Sequence, residues 1–271
     1  MASQALLLLL TSLSLLGLHA VWGVMYLNGA LHLLLTTALS GTYPHPHPRP
    51  LVSTYTTLPL LDFPLRILVI FFDSLLSGPD PAPSLILLEL VATLLVINTA
   101  VLTESRRPGA APALRRPALW QYAWNCAGVA VFLPLWVLAY TTQPPAVKAA
   151  AIPRREARAV PLTAAWSVLL AAPLLAPAAW GAGAADVQWG VVVFFGTPVL
   201  FVAFQRVISG LLDGEGRGQR PVRVAYWLVG VVSAAVHVGT VCWVAVGGGG
   251  GAGGWRGCIG RPRALCRLGG S

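Results

Sequence analysis

Charge is what this 271-residue sequence has least of: 10% of its residues are Asp, Glu, Lys or Arg. Soluble domains carry about 25%, so an ordinary water-soluble fold is excluded. Acid is scarcer than base, with 9 Asp and Glu against 18 Lys and Arg and a net charge of +9. The 4 cysteines form no CxxC pair and no Cys/His metal spacing. A zinc site and a disulfide framework therefore find no support. The sequence also lacks GxxxxGKS/T, GxSxG, HExxH and a glycine fingerprint opening a helix, so no nucleotide or hydrolase machinery is legible.

Hydrophobic residues make up 56% of the chain, and the mean hydropathy is +0.72. Disorder, which needs low hydrophobicity, is excluded. The apolar residues come in blocks about 20 long, enough to cross a hydrocarbon core of about 30 Å as helix. The fold class expected is an all-α, polytopic transmembrane helical bundle of about seven spans. These are Leu6–Leu31, Leu58–Leu76, Pro83–Thr103, Ala118–Tyr140, Val160–Trp180, Gln188–Ser209 and Val222–Val246. The first block has no Lys or Arg before it and runs on to Leu39. It reads as a retained span, long or broken near Gly23, rather than a cleavable signal. Trp120, Tyr122, Tyr140, Trp180, Trp189 and Tyr226 sit near span ends, as interfacial belts require.

Residues 1–246 form the expected helical domain, and 247–271 a Gly-rich basic tail without periodicity. Tyr43–Pro50 is a polyproline-type linker whose His45 and His47 are weak metal candidates. The arginines lie mostly in loops beside apolar spans, the position of topology signals and headgroup contacts rather than of a nucleic-acid surface. Counted on seven spans, they do not favour either side.

The few acids within spans carry the most information, because a charge at bilayer depth is costly and faces a cavity or a partner. Asp62, Asp73, Glu89 and Glu104 qualify. Asp62, Arg66 and Asp73 share one helical face, about 40° and 20° apart around the axis from Asp62. One reading makes Asp62 an N-terminal carboxylate that satisfies free N–H groups and pairs with Arg66. The other faces a carboxyl group into an apolar pocket where desolvation keeps it protonated. Glu104 precedes Arg106 and Arg107 and suits an interfacial salt bridge equally well. Asn28, His32, Asn98, Asn125, Gln188, Gln205, Arg206 and His237 are further polar candidates, and paired aromatics such as Phe71–Phe72 can line a pocket for a carbocation.

Taken in order, several short motifs resemble one family. They run from Leu58-Pro-Leu-Leu-Asp62 through Phe71-Phe72, Gly78, Pro81, Ser84-Leu85, Glu104-Ser-Arg106 and Gly109 to Gly128 and Pro134-Leu135. Ile152-Pro153, Gln188-Trp189, Pro198, Gln205, Ala225-Tyr226 and His237 continue them. Together they resemble the fungal integral-membrane terpene cyclases of indole-diterpene and meroterpenoid biosynthesis, over residues 55 to 240. Members usually carry an aromatic after the paired Phe and an acid before the Gly, where this chain has Asp73 and Ser77. The resemblance implies acid-initiated cyclisation of a prenyl chain, without cofactor or metal, in a multi-pass protein of the endoplasmic reticulum. An acid protonates an epoxide or olefin, and the cation migrates in a dry pocket until a base removes a proton. By matching position, Asp62 and Glu104 are the first catalytic candidates; Glu89 and Asp73 follow from intramembrane location alone. Phe71, Phe72, Gln205, His237 and Trp189 are the substrate-binding candidates. The expected partners are the lipid bilayer, an apolar prenylated substrate and other pathway enzymes, with no nucleic acid. A small-molecule transporter and a non-catalytic membrane scaffold are the competing readings.

Overall fold

The computed structural model describes residues 4–43, 50–78 and 80–246. The expectations about His45, His47 and the tail 247–271 lie outside the described residues. The described residues are helical, with no β-strand among them. The first apolar block is not broken at Gly23, which is itself helical: α1 (Gln4–Leu18) passes through a π-helical turn (His19–Gly23) into α2 (Val24–Leu27), and the break comes at Gly29, φ +79°, before α3 (Ala30–Ser40).

Five helical stretches among the described residues are long and apolar enough to cross a membrane. They are Gln4–Leu27, α5 (Ala82–Ser105), α9 continued by α10 (Arg154–Leu170, Ala172–Ala179), α11 (Ala184–Leu211) and α12 (Arg220–Ala245). Two of the seven expected spans do not have this form.

The stretch Ala118–Tyr140 is a hairpin. The helices α6 (Pro117–Ala127) and α7 (Val129–Thr141) have 11 and 13 residues, each only about 16–20 Å long. Between them Gly128 takes φ +107°, a conformation that side chains disfavour. The segments flanking the pair meet: the Ala111 N–H donates to Gln143 Oε1 at 3.1 Å, and Arg107 Nη1 to the Ala150 carbonyl at 2.6 Å. The chain thus enters and leaves at the same end. Breaking the helix frees backbone carbonyls that a membrane interior cannot hydrate. The first helix supplies donors there, Trp22 Nε1 to the Ala127 carbonyl and Ser14 Oγ to the Val131 carbonyl, both at 2.8 Å.

The other exception is α4 (Pro59–Ser77), which carries Asp62, Arg66 and Asp73. Its core contacts fall on the N-terminal halves of its neighbours, Leu87 and Val91 of α5 and Val187, Val191, Phe194 and Phe195 of α11. Its first turn is tied to a loop that reaches Gln188, near the start of α11. The chain leaving it enters α5 at that same end. The helix therefore lies across one end of the bundle instead of crossing it.

Helices α5 and α11 run parallel, with α9 and α12 antiparallel to them. Close approach between α10 and α11 depends on Gly190, where a Cβ would stand 2.2 Å from the Pro173 carbonyl oxygen. Small residues serve this purpose in membrane helices. At the end opposite α4, the segment before α9 pairs with the α11–α12 loop. Arg154 N–H donates to the Gly216 carbonyl at 2.9 Å and Gly218 N–H to the Ile152 carbonyl at 3.2 Å. This end gathers most of the arginines.

Candidate functional site

Helix α11 carries two fully buried glutamines, Gln188 and Gln205, both 0% exposed. They lie 17 residues apart, about 25 Å along the axis. A polar network surrounds each, and a small cavity lies between them.

At the α4 end, Gln188 Oε1 accepts from the Val52 N–H at 2.9 Å and from the Tyr55 hydroxyl at 3.2 Å. Asp62 Oδ1 accepts from the N–H of Thr56 at 2.6 Å, the Thr56 hydroxyl at 2.9 Å and the N–H of Tyr55 at 3.2 Å. Burial alone would push the Asp62 carboxyl up. The Thr56 and Tyr55 donors, with Arg66 nearby, outweigh it and hold the carboxyl below its ordinary range. Asp62 therefore satisfies N–H groups, as one reading expected, but those of the preceding loop. Arg66 donates to the Ser53 carbonyl and holds the same loop. Burial, reinforced by Asp73, pushes the Tyr55 phenol up.

Asp73 is 0% exposed, and its Oδ1 accepts from the Ser77 hydroxyl at 2.6 Å. Its sequence neighbour Phe72 belongs to an aromatic cluster. Ring centroids lie 5.2 Å from Phe71, 5.6 Å from Phe195 and 6.3 Å from Phe194. Trp189 packs edge-on against Tyr55 at 5.4 Å and is 42% exposed.

The cavity between α5, α6, α9 and α11 measures about 30 Å³, room for about two water molecules. Phe194 and Phe201 form its aromatic wall, and Asn98, Gln121, Asn125, Ser167 and Thr197 its polar one. Asn98 Oδ1 and Gln121 Nε2 have no hydrogen-bond partner among the described residues. No carboxyl group lines this cavity.

At the opposite end, Gln205 Oε1 accepts from the Thr163 hydroxyl at 2.7 Å, while its Nε2 donates to the Glu156 carbonyl and Oε2, both at 3.1 Å. Glu156 stands 3.8 Å from Arg106. Glu104 forms a bidentate ion pair with Arg107, at 2.5 and 2.8 Å. This is the local salt bridge that its sequence context suggested, and through Arg107 it ties α5 to residue 150.

The four acids thus do not converge. Asp62 and Asp73 belong to the α4 end and Glu104 to the opposite one. Glu89 meets His237 at 3.4 Å, with the His237 side chain 68% exposed on the outside of the bundle. Phe71 and Phe72 join the aromatic cluster, whereas Gln205 belongs to an inter-helix network. Of the residues around the cavity, Gln121 escaped sequence reasoning because Trp120 and Tyr122 on either side look like an interfacial belt.

The CtvD domain family matches residues 5–247. The chain is 29% identical to terpene cyclase DEP1 of Fusarium langsethiae over 241 residues, 84% of this chain and 65% of that protein. It is 31% identical to terpene cyclase DEP1 of Alternaria brassicicola over 242 residues, 84% of this chain and 64% of that protein. Over 166 residues it is 31% identical to terpene cyclase ctvD of Aspergillus terreus, 59% of this chain and 44% of the relative. The chain spans about two thirds of the length of the DEP1 relatives. No solved structure matches.

Proposed function

The chain belongs to the CtvD domain family of fungal terpene cyclases, and from that premise we propose that it is a membrane-embedded terpene cyclase initiated by a carboxylic acid. Family membership over residues 5–247 is the observation that carries the reading. The α4 end supplies the chemistry it needs. Asp73, fully enclosed beside Phe72, is the proton donor in this proposal. It protonates an epoxide oxygen or an olefin of a prenyl chain. The cation then migrates against the faces of Phe72, Phe194 and Phe195, which stabilise positive charge where water is excluded. Loss of a proton to a base ends the reaction, so substrate and product have the same mass. Asp62 holds the loop that closes this end, and Glu104 ties helices together at the other.

The 30 Å³ cavity is too small for a prenyl chain, so binding requires the helices to part. The bilayer, in the endoplasmic reticulum, supplies the apolar prenylated substrate. The product is a cyclic terpenoid of the meroterpenoid or indole-diterpene class, made alongside other pathway enzymes. The test is expression in microsomes supplied with a terminally epoxidised prenyl substrate. A cyclised isomer of unchanged mass is expected. No isomer from any such substrate, while a characterised relative turns over beside it, would refute the reading.

A further inference from the structure

Over seven spans the arginines would divide between the two sides; the observed fold gathers them. Because α6–α7 doubles back, residues 106–117, 142–158 and 206–223 all lie at the end opposite α4. The hydrogen bonds from Arg107 to Ala150, Arg154 to Gly216 and Arg158 to Asp213 join them into one surface. Twelve cations stand there: Arg106, Arg107, Arg115, Arg116, Lys148, Arg154, Arg155, Arg158, Arg206, Arg217, Arg220 and Arg223. Only four acids accompany them, and two of these, Glu104 and Glu156, already face Arg107 and Arg106. Nine of the arginines are exposed. The rest of the described chain carries one arginine, Arg66, against Asp62, Asp73, Asp80, Glu89 and Asp186. If all of the remaining six of the 18 basic residues lay at the α4 end, the balance would still be two to one.

Cytoplasmic loops near span ends carry the excess of Lys and Arg, and the cytoplasmic leaflet is the anionic one. We propose that the arginine-rich end is the surface that meets anionic headgroups of the cytoplasmic leaflet. Helices α6–α7 then form a re-entrant hairpin entering from the cytoplasm, and α4 lies on the lumenal face. The polar cavity fits this placement, since backbone broken at membrane depth is tolerated where it is buried in protein or lines a polar cavity. Asn98 Oδ1 and Gln121 Nε2, left without partners there, can be met by water reaching the hairpin. The inference rests on the membrane-embedded reading and not on the cyclase chemistry.

The experiment places single cysteines in a full-length chain whose native cysteines are Ser. The protein sits in sealed microsomes, cytoplasmic face outward, and is probed with a membrane-impermeant maleimide. Ala113→Cys, Ala146→Cys and Gln219→Cys should label at once. Thr57→Cys and Ala182→Cys should label only after detergent. Thr142→Cys stands in for Ala146→Cys should that variant not accumulate. Labelling of 113 and 146 from opposite sides overturns the re-entrant hairpin, and a fully reversed pattern overturns the orientation. If all five label without detergent and alkaline carbonate releases the protein, the membrane-embedded reading itself falls, whatever cyclisation assays show.

Discussion

The two ends of α11 pose the same physical problem and solve it differently. Each has a buried glutamine, a loop to hold and acids to accommodate. At the arginine-rich end the acids are matched by guanidinium groups, Glu104 with Arg107 and Glu156 with Arg106. At the α4 end Asp62 is met by hydroxyl and backbone N–H donors, and Asp73 by Ser77 within apolar and aromatic surroundings. A carboxyl group engaged by a guanidinium serves as a girder. One that accepts from a serine on its own helix, next to Phe72 in sequence, is the proton donor of the proposed mechanism. The difference decides which acids belong to structure and which to the proposed chemistry.

The contrast can be broken at several points. Glu104→Gln leaves the Arg107 guanidinium short of its charge partner and should destabilise the protein by about 2 kcal/mol, read from thermal unfolding in detergent. A next, smaller effect is expected from the aromatic faces. Phe194→Leu should slow cyclisation about tenfold by removing a cation–π contact. Trp166→Leu, in a stacked pair with Phe204 away from the cluster, should leave the rate within about twofold. Turnover of the two variants at matched protein levels separates these outcomes. Gly128→Ala forces a side chain into a positive-φ turn and should cost about 1 kcal/mol, seen as a lower unfolding temperature. The smallest effect concerns pH. The Asp62 carboxyl titrates below its ordinary value, so its contribution is present above pH about 4 and is lost as pH falls through the folded-state pKa. Asp62→Asn should remove that contribution and flatten the acid limb of the stability profile.

Composition alone made the helical membrane class legible, but the first block breaks at Gly29 rather than near Gly23, where the helix only loosens into a π-turn. What could not be read was which apolar stretches cross. A mostly apolar stretch of 23 residues at Ala118–Tyr140 is long enough for a span, and only the turn at Gly128 reveals two half-length helices. The face shared by Asp62, Arg66 and Asp73 was visible as a pattern, but its meaning depended on α4 lying across one end. Spacing identified the acids and places partners of Glu104 and Asp73 three and four residues on, Arg107 and Ser77, whereas the partners of Asp62 and Glu89 lie in a loop or far along the chain. Thr56 and Tyr55 precede Asp62 in a loop, and His237 is 148 residues from Glu89. Asn98 and Asn125 were recognisable as polar residues within spans, and Gln121 lies one helical turn before Asn125 on α6, but that Asn98 of α5 lines the same cavity depends on how the hairpin packs.

The most direct test compares Asp73→Asn with Glu104→Gln in one microsomal assay, at equal amounts of folded protein and with the same epoxidised prenyl substrate. Asp73→Asn should lose cyclisation by a factor of about 10² to 10⁴, the usual contribution of a general acid, while Glu104→Gln keeps the wild-type rate within about threefold. A Glu104→Gln variant that is folded yet inactive, beside an Asp73→Asn variant that still cyclises, would contradict the account.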